Sequence, residues 1–358
     1  MNLQINRDFW RGKRVFLTGH TGFKGGWLSL WLADLGAEVH GYALAPPSEP
    51  NFFTVAGVET RLGSHTLADI RTFDALAHAM QAARPDVVLH LAAQPLVRYS
   101  YAEPLETYAV NVMGTVHLLE AVRRTPGVQA VVNVTTDKCY ENREWVWPYR
   151  ENEAMGGADP YSSSKACSEL ATAAWRASFL DTAGIRVASA RAGNVIGGGD
   201  WAADRLVPDF LRALDAGRTL NIRSPRATRP WQHVLEPLAG YLLLAQRLCE
   251  DGAAYTEAWN FGPDDHDARP VSWIVEHLCR QVPGAAWHCD STPQPHEANS
   301  LKLDSSKAKS MLGWTPRWNL ETALARTLEW HQAWVRGEDM GRCSRDQISA
   351  YVATATDA

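Results

Sequence analysis

Apolar residues fall in short unbroken runs that alternate with longer stretches of helical period. After Gly12 and Lys13 the run RVFLTG reads as a buried strand. The glycines behind it lead into WLSLWLADLG, a helical pattern that stops at Gly36. AEVHGYAL follows as a second strand, TFDALAHAMQAAR as a helix and PDVVLHLAA as an almost wholly apolar strand. Then come the helix ETYAVNVMGTVHLLEAVRR, the strand AVVNVTT, the helix PYSSSKACSELATAAWRASFL and the strand RVASARAGNVIG. Strands that alternate with helices predict a parallel sheet covered on both faces. The expected fold is therefore α/β, a Rossmann-type doubly wound parallel sheet. Beyond Gly197 the pattern loosens: GGGDWAADRLVPDFLRALDAG is a glycine-rich loop feeding a helix. RPWQHVLEPLAGYLLLAQRLC and AWNFGP look like a return to the first lobe, whereas RPVSWIVEHLCRQV and KLDSSKAKSMLGW look like a smaller second one. We expect an interleaved C-terminal α/β domain that binds substrate against the first lobe.

A chain of 358 residues is long enough for two such lobes. Its net charge of -5 argues against nucleic acid as the main partner, which would call for a basic excess. Cys139, Cys167, Cys249, Cys279, Cys289 and Cys343 are scattered without a C-x-x-C pair, so neither a metal site nor a disulfide framework is expected. The first residues, MNLQINRDFWRGK, lack an apolar signal core, and no apolar run is long enough to cross a bilayer. The expectation is a cytoplasmic protein with reduced thiols and no membrane partner.

Gly19, Thr21, Gly22, Phe23, Lys24 and Gly25 lie in a G-x-x-G-x-x-G turn at the first strand–helix junction. Glycines there let backbone N–H groups approach a pyrophosphate, and the helix N-terminus favours its charge. Two later strand ends suit the same dinucleotide: Asp69-Ile70 beside the adenine, and the small stretch Leu91-Ala92-Ala93-Gln94 along its path. The second strand runs into HGYALAPP, with neither the acid that holds a ribose nor the Arg that receives a 2′-phosphate. The missing Arg favours NAD over NADP.

Tyr161 and Lys165 lie four apart at a helix start and so share a face. A phenol, with an ordinary pKa of about 10, is a poor base near neutrality. A nearby ammonium stabilises the phenolate, and the pair could then take a proton from a sugar hydroxyl as the neighbouring carbon gives up hydride. Thr136, Asp137 and Lys138 follow the preceding strand, at the carboxyl end where α/β sites form. Thr136 could bond the same hydroxyl, and Thr135, Tyr161 and Lys165 are counted among the cofactor contacts.

GHTGFKG, LAAQPLVR, TTDKCYENREWVW, YSSSK, RAGNVIGGGDW, RPWQHV and WNFGPDD together resemble the CDP-glucose 4,6-dehydratases, a family of extended short-chain dehydrogenase/reductases. The resemblance runs from about Phe9 to about Trp334. It implies a redox-neutral elimination of water from CDP-glucose. Tyr161, helped by Thr136 and Lys165, takes the 4-hydroxyl proton as hydride passes to NAD⁺; C5 loses a proton, the 6-hydroxyl departs, and hydride returns to C6. Asp137 is the implied acid. Lys138 stands where related dTDP-glucose dehydratases carry Glu, and acts either as a neutral base or as a charged stabiliser of the enolate. Gln94, Asn194, Arg205, Leu206, Pro208, Arg223, Arg229 and His296 match substrate-binding positions, the arginines suiting a diphosphate. Asn299 and Ser300, after His296-Glu297, depart from the usual pattern.

The implied division is a NAD-binding domain of residues 9–192 plus about 230–262, a nucleotide-sugar domain of about 193–229 plus 263–337, and a tail, 338–358. A homodimer, or a dimer of dimers, is expected through the helices starting near Glu106 and Tyr161, on Val112, Val116, Leu119, Leu170, Trp175 and Phe179. Two rivals share the glycine loop: a nucleotide-sugar 4-epimerase, which needs no acid and base at C5 and C6, and a non-catalytic dinucleotide sensor, which needs no Tyr–Lys pair.

Overall fold

The computed structural model of the chain describes residues 5–290 and 300–354. Its centre is a seven-stranded parallel sheet. In chain order the strands are β1 (Arg14–Thr18), β2 (Glu38–Ala43), β3 (Ser64–Leu67), β4 (Val87–His90), β5 (Ala130–Val134), β6 (Arg186–Ala192) and a last strand, Ala258–Phe261. In space they run last strand, β6, β5, β4, β1, β2, β3. The order reverses between β1 and β4, which opens a crevice beyond their carboxyl ends.

The strands bury both faces because their side chains alternate. Val15, Leu17, Val87, Leu89 and Val132 join one core, with Trp27 and Leu30 of the helix Phe23–Asp34 and Leu242 of the helix Leu235–Glu250. Phe16, Val88 and Val131 point the other way, to Leu76, Met80, Leu118 and Val122 of the helices behind. A third core joins Val207, Phe210, Ile222, Ile274, Leu278 and Leu324, from the helices Leu206–Asp215, Val271–Gln281 and Leu320–Val335 and short two-stranded pairs.

The hydrophobic pattern does not announce β3: Ser64-His65-Thr66-Leu67 is a partly exposed edge strand without an apolar run. The expected long helix before β5 is continuous but contains a π-turn, Ala109–Met113, between Pro104–Tyr108 and Gly114–Arg124. Leu119 is fully buried in its own chain's core and offers nothing to a partner, whereas Leu170 and Phe179 are exposed. KLDSSKAKSMLGW was expected in the second lobe, yet Ala308, Leu312 and Trp314 pack into the first core. The stretch read as a tail is a helix, Met340–Ala353, whose Met340, Ile348 and Tyr351 are buried in that same core.

Candidate active site

Thr18 closes β1 and holds the neighbouring strand end. Its Oγ1 accepts from the N–H groups of Leu91 and Ala92, each at 3.2 Å, and meets His90 Nδ1 at 2.7 Å. The chain then turns through Gly19, at φ +80°, where a Cβ would stand 2.7 Å from Ala92 N. A Cβ on Gly25 would stand 2.1 Å from Gly19 O, so neither position accepts a side chain. The helix Phe23–Asp34 begins at Gly22 and has no side-chain cap, which leaves its first N–H groups for an anion. Thr21 Oγ1 donates to Leu44 O at 2.8 Å and ties the loop to the end of β2. Lys24 has its ammonium pushed down to about 8, by burial first and then by Arg205 and Lys165. Asp69 is held below the usual carboxylate range by its hydrogen bond with Arg71, 2.6 Å away, and Ile70 is buried against Gly114. The narrow glycine cradle and the uncapped helix end fit a dinucleotide pyrophosphate.

β5 delivers Thr135, Thr136 and Asp137 to the crevice. Opposite them the helix Pro160–Trp175 starts at Asp159, whose Oδ1 accepts from Ser162 N at 2.9 Å, with Pro160 in its first turn. This start presents Tyr161 and, one turn on, Lys165, both buried. Burial pushes the Tyr161 phenol up to about 12; its hydrogen bond with Thr136 pulls it down, Asp137 pushes it up and Arg205 pulls it down. Lys165 is pushed down to about 8 by burial, against which Glu169 acts most strongly, and its Nζ donates to Val134 O at 3.4 Å. In the protein alone the burial of Tyr161 outweighs the charges that pull its phenol down.

Asp137 is 2% exposed. Thr136 Oγ1 donates to its Oδ1 at 3.0 Å, while among the described residues its Oδ2 has no hydrogen-bond partner. Burial raises this carboxyl, against the pull of Lys138, the Thr136 hydroxyl, Arg229 and Lys24. A buried, unsatisfied oxygen is rare in a folded protein, and a carboxyl in that setting tends to keep its proton. Gly193 makes room for it, since a Cβ there would stand 3.1 Å from Oδ2. Lys138 is half-buried beside it.

Of the expected substrate residues, Arg205 and Arg229 are brought to this centre, through their fields on Tyr161 and Asp137 respectively. Arg205 is anchored to Asp200 at 2.8 Å, and Arg229 is buried, with Nη1 donating to Thr228 O at 3.0 Å. Leu206 and Pro208 form the first turn of the next helix, and Asn194 O accepts from Gln232 N at 3.0 Å. Arg223 stands further out, sharing Asp204 with Arg98 at 3.0 and 3.2 Å. Gln94 spends its side chain within the protein: Nε2 donates to Thr107 Oγ1 at 2.8 Å and Oε1 accepts from Leu96 N at 2.5 Å. His296, with Glu297 and Asn299, lies outside the described residues.

Two groups escaped the sequence reading. Asn111, in the π-turn, accepts from Gln94 N at 2.9 Å and donates to Gln94 O and to Ser164 Oγ on the catalytic helix, at 3.0 and 2.9 Å. Its one signal was an amide inside an apolar run. Glu169, one turn past Lys165, is buried with Arg191 at 2.9 Å. A cavity of about 530 Å³ opens behind it, lined also by Arg150, Arg176 and Lys307, and none of Thr136, Asp137, Tyr161 or Lys165 lines it.

A family model described as GDP-mannose 4,6 dehydratase matches residues 16–327. The chain belongs to that family. It is 55% identical to the CDP-glucose 4,6-dehydratase of Salmonella typhimurium (strain LT2), over 98% of this chain and 99% of that one. With the dTDP-glucose 4,6-dehydratase of Xanthomonas campestris pv. campestris (strain ATCC 33913) the identity is 26%, over 94% and 99% of the two chains. Among solved structures, a UDP-glucose 4-epimerase from Thermotoga maritima, with UDP-glucose, superposes with a TM-score of 0.76 at 23% identity, covering 90% of this chain and 99% of that one. A UDP-glucuronic acid 4-epimerase from Bacillus cereus, in complex with UDP-glucuronic acid and NAD, gives 0.76 at 21% identity, over 89% and 99%. These structures share the fold. No described helix is long and apolar enough to cross a membrane.

Proposed function

We propose that the protein converts CDP-D-glucose to CDP-4-dehydro-6-deoxy-D-glucose with loss of water, a step in deoxysugar synthesis. The observation that carries this reading is the buried Asp137 Oδ2, unpartnered among the described residues, beside Thr136, Tyr161 and Lys165. An oxidation alone needs the Tyr–Lys pair; only an elimination needs a neutral carboxyl as well. The Salmonella relative supports the substrate.

Gly19, Gly22 and Gly25, with the uncapped helix end, Lys24 and Ala92, would hold NAD. NAD supplies the hydride acceptor and donor that make the sequence redox-neutral. Tyr161 Oη takes the proton of the 4-hydroxyl. A phenol at about 12, with the pull of Arg205 already included, is no base at neutral pH, so Lys165, one turn away on the same face, would have to stabilise the phenolate in the loaded site. Asp137 Oδ2 delivers a proton to the departing 6-hydroxyl, and its burial raises the carboxyl above its ordinary range and so favours the protonated form. Lys138 serves the C5 end, as base or as counter-charge to the enolate. Arg205 and Arg229 suit the substrate's diphosphate, with Asn194, Leu206, Pro208, Arg223 and His296 towards the nucleotide. We assign cofactor binding to residues 9–192 plus about 230–262 and substrate binding to about 193–229 plus 263–337, save the stretch 302–314, whose Ala308, Leu312 and Trp314 pack into the first core.

A cytoplasmic homodimer completes the reading. All six cysteines are free. Leu105, Met113, Leu170 and Phe179, on the segments around the two long helices, are exposed. Incubation with CDP-glucose, read by mass spectrometry and NMR, tests the function: loss of one water is expected, and isomerisation at C4 would make the protein an epimerase.

A further inference from the structure

Glu169 sits one helical turn beyond Lys165, wholly enclosed. Its Oε1 accepts from Arg191 Nε at 3.0 Å and from Thr135 Oγ1 at 2.5 Å; its Oε2 accepts from Arg191 Nη2 at 2.9 Å and Ser189 Oγ at 2.5 Å. Thr135 is the residue before Thr136 and Asp137, and its own N–H donates to Ala190 O at 2.9 Å. Arg191, in turn, donates to Tyr140 Oη at 2.8 Å and to Glu151 O at 3.1 Å, beyond the catalytic strand. One carboxylate thus joins the helix of Tyr161 and Lys165, the exit of β5, and β6.

We propose that Glu169 is a positioning residue for the dehydration: it docks the helix of Tyr161 and Lys165 onto the strand end of Thr136 and Asp137, and supplies the counter-charge of Lys165. Two buried charges are costly unless fully paired and hydrogen-bonded, and this pair spends four hydrogen bonds on the carboxylate alone. Arg191 neutralises Glu169 in its immediate contact, but the carboxylate lies on the helix that carries Lys165, so its field acts along one turn. The other groups that bear on Lys165 offer no replacement. Lys24, from the first helix, repels it. His90 on β4 is pushed down to about 3, chiefly by burial, and stays neutral. Cys139, past β5, is raised by burial and stays a neutral thiol. Tyr161, on the same face, holds its proton. Glu169 itself is held below the usual carboxylate range by Arg191, Ser189 and Thr135 despite its burial, so it is the anion that remains.

This inference rests on the dehydratase reading for its consequence, but its test does not. Lys165 can be titrated without substrate, by following acylation of its peptide with a small reagent, by mass spectrometry, across pH. In the wild type its reactivity should rise through a pH near 8. In Glu169→Gln the rise should move down by about one pH unit or more, as loss of an opposite charge requires. Glu169→Asp should move it back. Because Glu169→Gln strands a buried guanidinium, the double variant Glu169→Gln/Arg191→Met is measured beside it and should show a smaller shift in the same direction, since the opposing field of Arg191 is removed with the carboxylate. An unmoved Lys165 titration in folded Glu169→Gln, or an upward shift in the folded double variant, overturns the proposal, even where activity falls. Product formation by the wild type with CDP-glucose tests the dehydratase reading separately.

Discussion

Asp137→Asn separates the oxidation of the sugar from the loss of water. The substitution keeps the volume and keeps the Oδ1 acceptor that Thr136 Oγ1 reaches at 3.0 Å, so Thr136, Tyr161 and Lys165 hold their places. What it removes is the acidic proton at Oδ2. An amide is a far weaker donor, and loss of a general acid costs about 10²–10⁴-fold, or about 3–5.5 kcal/mol of barrier. Mixed with CDP-glucose, the variant should reduce its bound cofactor and keep it reduced, with product appearing only slowly. Stopped-flow absorbance of the reduced nicotinamide measures the first step, and the sugar's mass measures the second. Tyr161→Phe is the control and should show no reduced cofactor at all. If both variants leave the cofactor oxidised, the assignment of separate steps to the two residues is refuted. Full dehydratase activity in Asp137→Asn would refute the acid itself.

The same variant carries a stability signature of opposite sign. Asp137 is raised above its ordinary 3.8 in the folded state. A raised carboxyl takes up a proton on folding, which costs stability at every pH above its unfolded pKa. Asparagine carries no such cost. Asp137→Asn should therefore melt at a higher temperature than the wild type at pH 7, with the gain shrinking as the pH falls towards 4. A lower melting temperature at pH 7 would mean that the carboxylate is ionised and paired.

Three further outcomes follow from the site. With the wild type, reduced cofactor should not accumulate mole for mole with product, because the hydride lost at C4 returns at C6; spectrophotometry of a complete turnover checks this. Arg205→Gln removes a charge that pulls the Tyr161 phenol down, and a diphosphate partner. KM for CDP-glucose should rise about 10–100-fold by steady-state kinetics, as for a lost hydrogen bond to a charged group. Sedimentation at micromolar concentration should give a dimer, and Leu170→Lys, on a side chain exposed in the single chain, should yield monomer without unfolding it.

Much of this was legible in the chain. The alternation of apolar strands and helices gave the sheet, because strands buried on both faces leave continuous apolar runs. β3 left none, since an edge strand with Ser64, His65 and Thr66 has no core to face. The final helix was missed because it buries a narrow stripe, Met340, Ile348 and Tyr351, between polar residues. Spacing placed Tyr161 and Lys165 on one face, but it cannot weigh desolvation against charge, and burial pushes the phenol up in the protein alone. Asn111 and Glu169 act through partners far apart in sequence, Gln94 and Ser164 in one case, Arg191 and Thr135 in the other. No local pattern encodes those contacts.

The glycine loop makes one last measurable demand. Lys24 is pushed down to about 8, so in the free protein it is half-protonated there. Burial does most of this, and Arg205 and Lys165 add to it. A dinucleotide pyrophosphate brought to the uncapped helix end beside it adds negative charge, which favours the ammonium and raises its pKa. Binding must then take up protons: about half a proton per site at pH 8 from this residue, and less on the acid side, where Lys24 is already charged. Affinity should accordingly fall as the pH rises through 8. Calorimetry of NAD⁺ binding to nucleotide-free protein, in buffers of different ionisation enthalpy, reads the uptake directly. Lys24→Gln should abolish most of it while leaving the glycine turn intact. Equal heats in all buffers between about pH 8 and 9, where the uptake should be large, would show that the pyrophosphate does not lie beside Lys24.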